Sequence, residues 1–334
     1  MALSIAPCTW KHGKRWAYTV TFDEALVELH DYTIPLHQEL GVPGHVEVVV
    51  GHMGKVRQIG ASSYNGYRHM SGPELRELIA LVWGVGNHSW SHGDVAADLD
   101  TEVRRAKEVL EEAIGARVVA YTAPGDNSNM KAVIIEALKE CGYLCALSVT
   151  DDVNRPDGDL WFLNRSSNLH QGFGPLWSAF DPYRRLMQAR AAEAWVIDYC
   201  HCPSPHIPHE NKDVYIHEHR ARLEAVLEVG GSEVWLPTVE EAVDYILCRR
   251  AFRAKPDPEG DDAPRFRLWL EGVPEPVAWR QVTLDIAVPP SLQRAPRLVL
   301  NGVSQPAHLT APGVIRATVD LSEPVTLEVE ASGQ

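Results

Sequence analysis

Short apolar runs separated by stretches of helical period fill the first three quarters of the chain, and a period of two takes over beyond them. Residues 17–22 form an apolar run with β-branched positions. Leu26, Leu29, Ile34, Leu36 and Leu40 then set a helical rhythm, broken at Pro35 and stopped by Gly41-Val42-Pro43-Gly44. A second buried strand over 45–50 completes a βαβ unit, which predicts a parallel arrangement. A polar loop over 51–70 follows, with Arg57, Tyr64, Tyr67 and Arg68 placed to cover a substrate or to stay as solvated surface. Ser71-Gly72-Pro73-Glu74 is a helix start of the capping type. Further helices are predicted over 74–82, from 100 to Gly115, and over 129–141, 184–192, 217–229 and 239–248. Strands are predicted over 118–121, 144–149, 195–199 and 233–236, with a long loop over 153–175 near the mouth of the fold. About seven strand and helix pairs in alternation read as an α/β barrel.

Past residue 250 the pattern changes. Residues 251–265 are charged and rich in proline, and read as a linker between a barrel domain over 1–250 and a second domain over 266–334. There Val282, Leu284, Ile286 and Val288 alternate with polar residues, as do Ile315, Ala317, Val319 and Leu321, and then Val325, Leu327 and Val329. With Asn301-Gly302 as a hairpin signal, this predicts a small antiparallel β-sandwich. Trp269 or Trp279 in it could bind sugar, with packing as the competing role.

Candidate chemistry gathers at predicted strand ends. Residues 84–94 read Gly-Val-Gly-Asn-His-Ser-Trp-Ser-His-Gly-Asp, with His88 and His92 four apart in a loop entered from a strand. That spacing lets two neutral imidazoles converge on a divalent metal. Ser89 and Ser91 can supply hydrogen bonds that fix the rings, and Gly84 and Gly86 allow the backbone to approach a ligand. The run over 17–22 delivers two acids, Asp23 and Glu24, and the run over 195–199 delivers His201.

Thr21-Phe22-Asp23-Glu24, Asn87-His88-Ser89-Trp90-Ser91-His92, Tyr121-Thr122-Ala123-Pro124-Gly125 and Tyr199-Cys200-His201 occur in that order. They resemble the successive motifs of the NodB-homology polysaccharide deacetylases (carbohydrate esterase family 4), over about residues 15–250. The resemblance implies an irregular (β/α)7-type barrel and a metal-dependent hydrolase that removes an N-acetyl group from a sugar. It further implies Asp23 as base, His201 as acid, and Glu24, His88 and His92 as ligands of a divalent metal, zinc first with nickel or cobalt as alternatives. Pro124, Tyr121, Trp90 and Asp151 are expected to line the substrate.

The chain departs from the family at three points. Glu24 is one methylene longer than the family's aspartate. Thr122 stands where the family has an arginine that orients the catalytic aspartate, so the pKa of Asp23 should be less depressed. The family's next motif, acids with a tryptophan, has no clean match; Asp151 or Asp152 would partly substitute in tuning His201. Cys200 and Cys202 with His206 and His209 form a second cluster rich in zinc-type ligands, to be weighed against a plain proline-rich pocket wall.

A formal charge of −14 over 334 residues argues against nucleic acid and anionic membrane as partners. Six cysteines are too few and scattered for a disulfide scaffold. The N-terminus carries no signal-peptide pattern and no window has the length of a membrane span, so a soluble cytoplasmic protein is expected, with a trimmed export signal as the alternative. The oligomeric state, including a homo-oligomer, stays open. Beside the deacetylase stand two further readings: a hydrolase of a cyclic imide, ureide or other small amide, able to work without metal, and a carbohydrate-binding protein without turnover.

Overall fold

The computed structural model describes residues 3–58, 60–171, 179–257, 265–290 and 296–331. Its contacts divide the chain into two compact units, one of Trp16–Val243 and one joining Met1–Arg15 to Asp244–Gln334. The first strand, β1 (Ser4–Pro7), belongs to the second unit. The barrel begins at β2 (Trp16–Asp23), buried along its whole length as a central strand of a parallel sheet must be.

The other barrel strands are β3 (His45–Val48), β4 (Gly84–Asn87), β5 (Ala120–Thr122), β6 (Cys145–Leu147), β7 (Ser166–Ser167), β8 (Trp195–Cys200) and β9 (Val234–Trp235). All pair in parallel, in the order β6-β5-β4-β3-β2-β8-β7, with β9 also on β2. Leu147 bridges Leu163, just ahead of β7, and the Ser148 amide donates to the Leu163 carbonyl at 2.7 Å. The segment leading into β7 thereby reaches back to β6, and the curled parallel sheet with its helices is the irregular (β/α) barrel that the alternation predicts. The helices between strands are α1 (Thr33–Leu40), α2 (Gly72–Ala80), α3 (Ala106–Ile114), α4 (Ala132–Glu140), α5 (Leu186–Ala192) and α6 (Ile216–Gly230), followed by α7 (Val239–Ala251). No helix among the described residues is long and apolar enough to cross a membrane.

Some expected elements differ. The helix expected over 24–40 is α-helical only from Thr33, after a short 3-10 turn over Val27–His30, because residues 24–27 are tied to the far end of the 51–70 loop. The Glu24 carbonyl accepts from His69 Nδ1 at 2.8 Å, the Met70 amide donates to the Ala25 carbonyl at 2.8 Å, and the Val27 amide to the Arg68 carbonyl at 2.9 Å. The loop over 153–175 contains β7, whose sequence Ser-Ser carries no apolar signal; residues 172–175 of it lie outside the described residues.

Gly84 and Gly86 serve a purpose other than contact with a ligand. β3 turns His45 and Glu47 into the barrel interior, opposite Gly84 and Gly86 of β4. A Cβ at Gly84 would collide with His45 Nδ1, and one at Gly86 with Glu47 Oε2. His45 is flanked by Glu47 at 3.3 Å and Glu240 at 3.2 Å, all three buried. Burial works against charge on His45, but Glu240 and Glu47 outweigh it and hold its pKa above the ordinary value. Gly86→Ala is therefore expected to destabilise the barrel by about 1–3 kcal/mol, the usual cost of forcing extra volume into a packed interior. Thermal denaturation followed by circular dichroism measures it, and an unmoved midpoint would mean that the acidic interior relaxes freely.

The second unit contains two antiparallel sheets. One has the order β1-β12-β16-β15, formed with β12 (Gln281–Ala287), β15 (Leu309–Ala311) and β16 (Val314–Asp320). The other has the order β10-β11-β17-β13-β14, formed by β10 (Phe252–Pro256), β11 (Arg265–Leu270), β13 (Pro296–Leu300), β14 (Val303–Pro306) and β17 (Val325–Ala331). Val282, Leu284 and Ile286 of β12 are buried, as are Ile315 and Val319 of β16 and Leu327 and Val329 of β17, as the period of two requires. Two placements depart from the expected division. Residues 1–15 cluster with the C-terminal strands because Ser4–Pro7 pairs with β12 from Leu284 to Ala287. The beginning of the expected linker is a strand, β10, paired antiparallel with β11, while 258–264 lie outside the described residues.

Candidate active site

Parallel strands that run side by side present their C-terminal ends on one rim, and the barrel uses that geometry here. β2 ends in Asp23, β4 leads into His88, β5 leads into Ala123, and β8 leads into His201. A cleft of about 400 Å3 is lined by Asp23, Glu24, His88, His92 and His201 together, with Arg57, Tyr64, Tyr199 and Lys212 among its walls. Glu24, Ala25, Ser89 and His92 all sit at positive φ, of 78°, 51°, 67° and 61°. Such left-handed conformations are costly for residues with a side chain, and they concentrate where the chain must turn functional groups inward.

Glu24, His88 and His92 each offer one atom to a group whose members lie within 4.8 Å of one another, the only such cluster of three among the described residues. Glu24 Oε1 is 3.3 Å from His92 Nε2. His88 Nδ1 lies 3.0 Å from the Thr122 carbonyl. A carbonyl only accepts, so Nδ1 carries the proton and Nε2 keeps its lone pair for the cleft. Burial drives the His88 pKa down to about 4, and burial together with the neighbouring His88 and Arg57 drives His92 down to about 2. Both rings are therefore neutral near pH 7, the state a metal ligand needs.

The loop that carries the two histidines is braced differently from the expectation. Ser89 Oγ accepts from the His92 amide at 3.0 Å, and Ser91 Oγ donates to Glu102 at 2.6 Å, so neither hydroxyl holds an imidazole. Glu102 also accepts the amides of Trp90 and Ser91, both at 3.0 Å. One buried carboxylate thus fixes the turn.

Asp23 has the cation that its motif lacks. Arg165, fully buried just ahead of β7, places Nη1 2.6 Å from Asp23 Oδ1 and donates through Nε to the Ser148 carbonyl at 2.8 Å. Burial pushes the Asp23 pKa up, yet Arg165, followed by His88 and His201, outweighs it and holds the group at about 2. The expectation of a less depressed Asp23 is thereby overturned: an arginine far along the chain takes the place left by Thr122. Nothing in the Asn164-Arg165-Ser166 context signals this role, because one long-range partner leaves no periodic trace.

His201 faces the same cleft. Its Nδ1 lies 2.7 Å from the Lys212 carbonyl, which again puts the proton on Nδ1 and leaves the lone pair on Nε2, and its ring stacks on Tyr64 at 5.0 Å. Burial lowers its pKa to about 4. The Lys212 carbonyl, and neither Asp151 nor Asp152, orients this ring. Asp151 is instead bound by Arg184 at 2.5 Å and Arg185 at 3.2 Å, away from the cleft lining.

Three other expected substrate contacts also lie off that lining. Tyr121 is fully buried, with its hydroxyl on the Asn129 carbonyl at 3.2 Å. Trp90 packs under the Arg105 guanidinium at 4.8 Å. Pro124 is buried in a turn that meets the cleft through its neighbours Ala123 and Gly125. Arg57 and Tyr64 do reach the cleft, so the polar 51–70 loop forms part of its wall.

The second cluster is not assembled. Cys200 packs in the main barrel core and Cys202 with Leu26 and Tyr64, while His206 and His209 are exposed.

The family model for polysaccharide deacetylases matches residues 11–146, about two fifths of the chain, the part that carries the first three motifs. The resemblance read from those motifs holds over that stretch. Among solved structures, a Streptococcus pyogenes deacetylase, PplD, is similar at 14% identity and a TM-score of 0.38, with 44% of this chain and 62% of that one covered. A candidate polysaccharide deacetylase from Mycobacterium smegmatis is similar at 19% identity and a TM-score of 0.45, with 73% and 94% covered. IcaB from Ammonifex degensii is similar at 21% identity and a TM-score of 0.39, with 44% and 66% covered. At these identities and scores the similarity carries nothing about chemistry. No curated protein matches the chain.

Proposed function

We propose, from the polysaccharide deacetylase match over residues 11–146, that this protein is a metal-dependent hydrolase that removes the acetyl group of an N-acetylated sugar or saccharide. The observation that carries the reading is the convergence of Glu24, His88 and His92 beside Asp23, with His201 in the same cleft. The donor set fits a divalent ion: two neutral imidazoles and one carboxylate, each with an atom inside a sphere that one ion can span. Zinc suits it, as do nickel and cobalt. Bound there, such an ion would lower the pKa of a water molecule from about 16 toward 7 and polarise the amide carbonyl.

The remaining work falls to the chain. Asp23, ionised and aimed by Arg165, takes the proton of the attacking water. Its low pKa makes it a weak base, so the reaction depends on a water that is itself made acidic. His201 Nε2, neutral at rest, takes up a proton from solvent water and hands it to the leaving nitrogen, while the proton accepted by Asp23 returns to solvent, so the protons balance over the turnover. Tyr64 and Arg57 line the cleft on the side of the 51–70 loop.

The test is acetate release from N-acetylglucosamine oligomers by protein loaded with zinc, nickel or cobalt. Chelator-stripped protein is expected to be inactive and to recover on reloading; full turnover after stripping would refute the metal-dependent reading. One observation favours the second reading, hydrolysis of a cyclic imide, ureide or other small amide without metal: Glu24 Oε2 is already bound to Arg57. Turnover of such a substrate by stripped protein would establish it.

A further inference from the structure

Arg57 has no counterpart in the roles assigned so far, and its position bears on the metal. Its Nη1 donates to Glu24 Oε2, and both side chains are buried, at 4% and 2% exposure. The loop holds the guanidinium there by its own bonds. The Arg57 amide donates to the Tyr67 carbonyl at 2.7 Å, the Gly66 amide to the Arg57 carbonyl at 3.1 Å, and Nε to Ser62 Oγ at 3.2 Å, with the Tyr64 ring 5.9 Å from the guanidinium carbon. Glu24 is equally constrained, by its left-handed backbone and by His69 on its carbonyl. Its two oxygens are thus shared between a fixed cation on one side and His92 on the other.

A divalent ion among Glu24, His88 and His92 would lie next to this guanidinium, in a site where water screens little. Like charges repel strongly under those conditions, and the carboxylate has to divide its charge between the two cations. An arginine stays protonated throughout, so the competition does not lapse near neutral pH.

We propose that Arg57 competes with the divalent ion for Glu24 and keeps the metal affinity of this site low, so that the protein takes up and releases its metal readily. This rests on the metal reading of the same site. Zinc binding to the stripped full-length chain, measured by titration calorimetry and by metal content after dialysis, tests it. Wild-type protein is expected to lose zinc on dialysis. Arg57→Gln and Arg57→Met are expected to bind zinc tighter by on the order of tenfold or more, and His88→Ala in either background to remove the gain.

Wild-type protein that retains stoichiometric zinc through dialysis would overturn the proposal and leave the deacetylase reading intact. So would variants that melt normally but bind zinc no tighter, or more weakly, as they would if Arg57 merely oriented Glu24. Absence of zinc uptake by wild type and variants alike would overturn both readings together.

Discussion

Asp23→Asn is expected to lower kcat for acetate release by about 10²–10⁴-fold, the range that a positioned general base supplies. Asparagine keeps the shape of the side chain and an oxygen for Arg165 Nη1, now 2.6 Å from Asp23 Oδ1, so the cleft should keep its form. What disappears is the lone pair that accepts the proton. Zinc uptake should persist, because Glu24, His88 and His92 are untouched. Steady-state kinetics with loaded protein, set against zinc titration of the same sample, separates the two effects. A variant within a few-fold of wild type would remove Asp23 from the base role and pass it to another group in the cleft.

The second large effect is one of stability. Arg165→Met removes a fully buried guanidinium that neutralises Asp23 and lies near Glu47. Breaking a buried pair by deleting one partner costs about 3–5 kcal/mol, because the other charge stays in a poorly solvated place. Burial alone pushes Asp23 toward its neutral form, so the orphaned acid would also titrate higher. A urea melt of the variant is expected to shift to lower denaturant, with kcat falling as the base loses its aim. An unchanged melt would show that water or a neighbouring side chain already compensates the charge.

Most of the candidate rim was legible because it depends on local pattern. Apolar runs over 17–22 and 195–199 become β2 and β8, and the polar residues that follow each run have nowhere to go but the rim. His88 and His92 are close in the chain, so their convergence needs only one tight loop. The alternation of β12, β16 and β17 was equally legible, since a period of two with one buried face admits few other structures.

What the amino-acid order determined by itself was therefore the class of the barrel, the rim positions of Asp23, Glu24, His88, His92 and His201, and the antiparallel character of the C-terminal strands. Only the tertiary structure decided which cations meet the two acids. Arg165 reaches Asp23 from 142 positions away and Arg57 reaches Glu24 from 33, through loops whose polar composition suits surface as well as site. It also decided that Gly84 and Gly86 make room for His45 and Glu47, and that β1 joins strands near the other end of the chain. The reason is common to all of these. Periodicity records which face of an element is buried, whereas a single charge pair or a strand partner distant in sequence is selected by the three-dimensional path of the chain and leaves no repeat to read.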